Sequence, residues 1–186
     1  MPSSNKVKMI SGIKIIQNSK YSDARGEITK LPNSFLKKIF KSLSQINILI
    51  TKNLEIGTVR GLHMQYKKLN ESKYIICTEG KIQEYFLDLR FNSKTFGKYM
   101  TIKLGAKDRK GVLVPPGIAH GYQTLEKKTT ILYVLSVNYK SQDQISVNIF
   151  DKDLGIKLPL AISNISNRDL DGISFKDSLE IFKGKF

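Results

Sequence analysis

Apolar positions recur along this chain in two rhythms. In "LPNSFLKKIFKSLSQ" (31–45) Phe35, Ile39 and Leu43 repeat at helical spacing, and Asn33 or Ser34 can cap the first turn, which predicts one amphipathic helix. From about Asn47 to Ile149 the period shortens to two. "KIQEYFLDLR" places Tyr85, Leu87 and Leu89 on one face and Glu84, Phe86 and Asp88 on the other. "FGKYMTIKLG", "GVLVPPG" and "TTILYVLSVNY" add short strands separated by glycine, proline or charged turns. So dense a series of short strands predicts an all-β jelly-roll barrel, with a few short helices at its edge. One of these is expected in "SFKDSLEIFKGKF", packed outside the barrel. No repeat, low-complexity tract or linker interrupts the pattern, so residues 1–186 are expected to form a single domain.

Composition narrows the class. With 40% apolar residues and a mean hydropathy of −0.24, the chain reads as globular. It has no run of eighteen apolar residues, so no membrane span is expected. "MPSSNKVKMISGIKII" lacks a long apolar core and a small-residue cleavage site, which predicts a cytoplasmic protein. The lone Cys77 excludes an internal disulfide, and its strand-like surroundings predict a buried, inert thiol. A net charge of +15 favours an anionic partner, either nucleic acid or a phosphorylated small molecule. Only five of the 31 basic residues are arginine, however, and the lysines are scattered without interleaved aromatics. A solvated lysine surface accounts for that distribution, and no nucleic-acid partner is predicted.

The two histidines, His63 in "GTVRGLHMQ" and His120 in "VPPGIAHGY", carry the candidate chemistry. Catalytic zinc or iron generally takes three protein ligands. The run Gly111-x3-Pro115-x-Gly117-x2-His120 is similar to the second metal motif of cupins, but the partner motif would be His-x-His, and here His63-Met64-Gln65 stands instead. No metal is therefore predicted. Taken singly, either histidine reads equally well as a hydrogen-bonded core side chain.

The flanking segments break that tie. "TVRGLHMQ", "DLRFNSKTFGKYMTIKLGAKDRKGVLVPPGIAHGYQTL" and "DKDLGIKLP" resemble, in order and spacing, the dTDP-4-dehydrorhamnose 3,5-epimerase family of metal-free cupin barrels. The resemblance runs from about Ser22 to Phe175. It implies an isomerase that inverts C3, C5 or both in a nucleoside-diphosphate 4-keto-6-deoxy sugar, in deoxysugar or surface-polysaccharide biosynthesis. It implies no cofactor, because the C4 ketone already acidifies the neighbouring hydrogens. It also implies a homodimer whose N-terminal segment, with Arg25 in "DARGEITKL", reaches the partner's site.

The same resemblance assigns roles. His63 matches the base, and an unperturbed imidazole titrates at about 6.5, near working pH. The orienting carboxylate matches Asp169 in "SNRDLDG", with Asp171 two residues on as the alternative. Tyr133 matches the acid and Lys73 the enolate stabiliser. Arg60 matches the diphosphate contact, and Gly61 permits the bend that brings Arg60 and His63, three residues apart, to one face. Gln65, Glu84, His120 and Tyr139 complete the expected substrate contacts, Glu84 standing where the family usually carries aspartate. The match departs where the family holds the nucleoside: Ile28 and Lys30 replace an aromatic and an acid, "NILIT" replaces a polar stretch, and Ile149-Phe150 replaces a tryptophan and an asparagine. The runner-up readings are a 3,4-ketoisomerase acting on a similar substrate, and a non-catalytic barrel that binds a nucleotide or an acidic partner.

Overall fold

The computed structural model describes residues 5–31, 46–65, 71–138 and 140–185. The helix expected over 31–45 falls almost wholly outside the described residues, as does Tyr139. Among the described residues twelve strands run in chain order: β1 (Lys14–Gln17), β2 (Ser19–Asp23), β3 (Gly26–Lys30), β4 (Asn47–Asn53), β5 (Val59–Gln65), β6 (Lys73–Glu79), β7 (Lys81–Asp88), β8 (Tyr99–Gly105), β9 (Lys110–Val114), β10 (Ile118–Thr124), β11 (Thr129–Leu135) and β12 (Gln144–Ser146). Two helices follow, α1 (Asn167–Leu170) and α2 (Phe175–Phe182). The strands form two five-stranded sheets, β1-β9-β6-β11-β4 and β12-β5-β10-β7-β8, and the separate hairpin β2-β3. This is the expected jelly-roll barrel with short peripheral helices.

The period-two pattern decides which side chains enter the barrel. Ile75 and Cys77 of β6, Ile82 and Phe86 of β7, Val112 and Val114 of β9, and Ile131, Tyr133 and Leu135 of β11 meet in one interior cluster. Their neighbours point outward. Tyr85 and Leu87 of β7, with Leu62 and Met64 of β5, form a second cluster that Val147, Ile149, Phe175 and Phe182 cover. β7 is thus buried on both faces, and the face carrying Glu84, Phe86 and Asp88 looks inward or into the strand-end turn. Helix α2 packs outside as expected, with the Ser174 hydroxyl capping it at the Asp177 N–H. Cys77 is buried, and burial pushes its thiol up to about 12, so it stays protonated and inert at neutral pH.

The "D-L-R-x-x-S-x-T" stretch serves the fold. The Asp88 carboxylate, fully buried, accepts from Arg90 Nε and Nη2 at 2.8 Å each and from the Ser93 and Thr95 hydroxyls at 2.6 Å each. Those bonds close the turn between β7 and β8 and outweigh burial, which alone would raise the carboxyl's pKa. Among the described residues no helix is long and apolar enough to cross a membrane.

Candidate active site

Strand β5 carries the bend that the site requires. Against β10 its register runs His63↔His120 and then Arg60↔Tyr122, so three steps on β5 oppose two on β10. This one-residue bulge turns Arg60, His63 and Gln65 to the same interior side. Gly61 makes it possible: its φ is +105°, and a Cβ there would lie 2.5 Å from the Gly121 Cα and 2.6 Å from the His120 carbonyl oxygen. Two glycines facing each other across the strand pair are what the bulge needs.

A cavity of about 320 Å³ opens between the sheets, lined by Arg60, His63, Gln65, Lys73, His120, Tyr133 and Asp169 among others. His63 Nε2 lies 2.5 Å from Asp169 Oδ1, with side-chain exposures of 25% and 4%, so the imidazole faces the cavity and the carboxylate is sealed behind it. Asp169 is the partner, and Asp171 is exposed to solvent. The short helix α1 presents Asp169, and its Ser166 cap accepts from the Asp169 N–H at 3.2 Å. The carboxylate also accepts from the Ser146 hydroxyl at 3.1 Å and the Gly61 N–H at 3.2 Å. Burial raises its pKa, but the bonds from His63, Gly61 and Ser146 together outweigh that and hold it below the ordinary carboxylate range. It is an anion at neutral pH, suited to fix the ring and to stabilise an imidazolium.

The opposite sheet supplies the other groups. Tyr133 of β11 and Lys73 of β6 both point inward from it, and the register places Lys73 beside Leu135 and Tyr133 beside Ile75. Burial, together with the nearby Tyr122 and Glu84, holds the Tyr133 phenol well above its usual value, so it is a neutral proton donor at pH 7. Lys73 Nζ lies 3.1 Å from Glu71 Oε2, a nearly buried pair that fixes a positive charge at the cavity wall. Beside them His120 Nδ1 stands 3.5 Å from Glu84 Oε2. Burial pushes Glu84 well above and His120 well below their ordinary ranges, and the Lys73 charge opposes the first and reinforces the second. His120 is therefore neutral at pH 7 and burial disfavours the charged form of Glu84, so the two meet as buried polar groups and not as an ion pair.

Arg60 donates from Nε to Asn53 Oδ1 at 3.1 Å, and among the described residues no hydrogen bond engages its terminal nitrogens. Gln65 is buried and donates to the Lys140 carbonyl at 3.2 Å. Arg25 is 88% exposed on the β2-β3 hairpin, paired with Asp23, and does not line this cavity. Sequence reasoning missed Glu71, Thr51, Arg168 and Ser166, which line the cavity, and Asn53 and Ser146 behind it. Among the described residues no group of three or more His, Cys, Asp or Glu side chains could hold a metal ion.

The model of the dTDP-4-dehydrorhamnose 3,5-epimerases matches residues 8–177. The chain belongs to this family. Its epimerase relatives include the dTDP-4-dehydrorhamnose 3,5-epimerase of Sinorhizobium fredii, 30% identical over 154 residues that span 81% of this chain and 77% of that protein. The dTDP-4-dehydrorhamnose 3-epimerase of Streptomyces niveus is 29% identical over 131 residues, which cover 70% of this chain and 62% of that protein. Among solved structures, the Bacillus anthracis 3,5-epimerase with TDP and pyrophosphate bound superposes with a TM-score of 0.80 at 28% identity, covering 88% of this chain and 94% of that one. The cupin-type epimerase barrel and the isomerase class expected from the sequence both stand.

Proposed function

We propose that this epimerase-family chain inverts C3, C5 or both in a nucleoside-diphosphate 4-keto-6-deoxy sugar, with His63 as base and Tyr133 as acid. The observation that carries this reading is His63 on one sheet, paired at 2.5 Å with Asp169 of α1, and Tyr133 and Lys73 on the other sheet lining the same cavity. Inversion removes a hydrogen from one face of a carbon and returns one to the other face, so base and acid must approach from opposite sides. The imidazole takes the proton, and the Asp169 anion steadies the imidazolium that results. Negative charge then develops on the C4 oxygen, where the Lys73 ammonium opposes it. Tyr133 delivers its proton to the other face and the ketone re-forms. Substrate and product are diastereomers, so no redox cofactor enters the balance. A 3,4-ketoisomerase would instead move the carbonyl from C4 to C3, and the epimerase relatives favour inversion.

Arg60 takes the diphosphate through its terminal nitrogens, while Gln65, His120 and Tyr139 complete the sugar's contacts; Glu84, fully buried and outside the cavity lining, stands 3.5 Å from His120 Nδ1 and does not reach the sugar itself. The chain works as one cytoplasmic domain in deoxysugar biosynthesis, and as a homodimer. The isolated β2-β3 hairpin leaves Tyr21 and Ile28 61% and 66% exposed, and the edge strand β4 leaves Ile48 and Ile50 at 61% and 63%. A two-stranded hairpin is marginal alone in water, and a second copy covering these residues would bring Arg25 towards the neighbouring site. NMR of a dTDP-4-keto-6-deoxy sugar incubated with the protein tests the catalytic reading. Signals of the C3- or C5-inverted sugar are expected with wild type and not with His63→Ala; equal product from both proteins would overturn the assignment.

A further inference from the structure

Arg60 lines the cavity and is exposed to solvent, yet its side chain is held from behind. Its Nε donates to Asn53 Oδ1 at 3.1 Å, and Asn53, at the end of β4 in the opposite sheet, is 3% exposed. The same Oδ1 accepts from the Tyr122 hydroxyl at 3.1 Å, and Nδ2 donates to the Thr129 carbonyl at 3.1 Å. Those three bonds decide which way the amide faces. Flipping it would set the NH₂ against the Arg60 and Tyr122 donors and the oxygen against the Thr129 carbonyl. The connection between β4 and β5 is pinned as well. The Glu55 carbonyl accepts from the Thr124 hydroxyl at 2.8 Å and the Thr58 hydroxyl at 3.1 Å, and the Thr58 N–H donates to Thr124 Oγ1 at 2.9 Å. Asn53 and Arg60 therefore keep one relation across the two sheets.

We infer that Asn53 is a positioning residue for the diphosphate: it takes the Nε–H of Arg60 and so aims the terminal nitrogens into the cavity before a ligand arrives. The inference rests on Arg60 being the diphosphate contact. A guanidinium carries its donors in one rigid plane, so a bond at Nε also restricts where the terminal nitrogens point. Among the described residues no hydrogen bond engages those nitrogens, which suits them to bidentate phosphate binding. An arginine in water samples many rotamers, and ordering it on binding costs affinity. The Asn53 bond orders the side chain in the ligand-free protein, so less freedom is lost when phosphate binds. A neutral amide is the apt holder. A carboxylate at the same place would pair with the guanidinium charge and weaken its pull on a phosphate.

Titration with inorganic pyrophosphate, followed through the His63 ring signals by NMR, tests this in four proteins: wild type, Asn53→Ala, Arg60→Ala and the double variant. Asn53→Ala is expected to weaken binding by about three- to tenfold, the cost of ordering one long side chain on binding. In the Arg60→Ala background the same change should alter binding by less than about twofold, because Asn53 acts through Arg60. Equal weakening in both backgrounds is what a merely structural role produces, and it would overturn the inference. So would wild-type binding in Asn53→Ala with Arg60→Ala impaired. Wild-type binding in Arg60→Ala would instead overturn the diphosphate reading of Arg60. If Asn53→Ala fails to fold, the wild-type protein keeps the test open. The chain has five arginines, and the Nε–H signal missing from Arg60→Lys is that of Arg60. Its exchange with water in the ligand-free protein is expected to be at least about tenfold slower than in free arginine, the protection one bond to a charged group gives. Exchange as fast as in free arginine would contradict the inference.

Discussion

Replacing Asp169 by asparagine exchanges one heavy atom of one buried side chain and should be felt in both rate and stability. The carboxylate accepts from His63 at 2.5 Å, from Ser146 at 3.1 Å and from the Gly61 N–H at 3.2 Å. Asparagine keeps the shape but has a single acceptor oxygen. If that oxygen serves His63, the amide NH₂ confronts the Gly61 N–H, donor against donor, inside the protein. Leaving that buried group unpaired costs about 1–3 kcal/mol, or roughly 2–12 °C in Tm for a chain of this length. The imidazolium formed on proton abstraction also loses a charge-assisted bond worth about 1.5–3 kcal/mol, which lowers the rate by about ten- to a hundredfold. Deuterium uptake at saturating substrate, paired with calorimetry, reads both effects. Ser146→Ala removes one charge-assisted bond to that anion, worth about 1.5–3 kcal/mol, but leaves the His63 bond in place, so it should slow exchange less than Asp169→Asn. Asp171→Asn, on an exposed residue two positions away, should change neither quantity. A folded Asp169→Asn that exchanges within threefold of wild type would refute the reasoning, as would a loss in Asp171→Asn.

Burial keeps the Glu84 carboxyl protonated above the ordinary range, so the folded protein holds a proton there that the unfolded chain has released. The stability from this group therefore falls as pH rises above about 4.3. Glu84→Gln removes that dependence, so its Tm should gain on wild type from pH 5 to pH 8, and parallel melting curves would contradict it. Arg60→Ala should raise KM by about ten- to a hundredfold with kcat little changed, since the diphosphate is held alike in ground and transition states; a kcat effect alone would count against it. Light scattering at micromolar concentration should report a dimer, and a monomer would remove the proposed covering of Tyr21, Ile28, Ile48 and Ile50.

The barrel was legible because alternation survives burial. In β6 and β11 the inward residues Lys73, Ile75, Cys77, Ile131, Tyr133 and Leu135 keep the period of two even where both faces are apolar. The bend at Gly61 was legible too, since Arg60 and His63 at a spacing of three can share a face only if an extra residue intervenes. Asp169 was harder. Its distance of 106 residues from His63 leaves no local signal, and only the family resemblance separated it from Asp171. Asn53, Ser146 and Glu71 carried no signal at all, because each acts through a partner brought close by sheet pairing: Asn53 on Tyr122 and Arg60, Ser146 on Asp169, and Glu71 on Lys73. The neutrality of His120 and the raised pKa of Glu84 were equally hidden, since both follow from burial and not from residue type.

The proposed reaction enolises a 4-keto sugar from one face of the cavity and reprotonates it from the other. Incubating the purified protein in deuterated water with thymidine, guanosine and cytidine diphosphate 4-keto-6-deoxy sugars, and following C3 and C5 by NMR, tests it most directly. The account predicts deuterium at C3, C5 or both, with inversion at the labelled carbon, for at least one of the three nucleotides. No deuterium in any of them from a folded, substrate-binding protein would contradict it and leave a barrel that binds without catalysis.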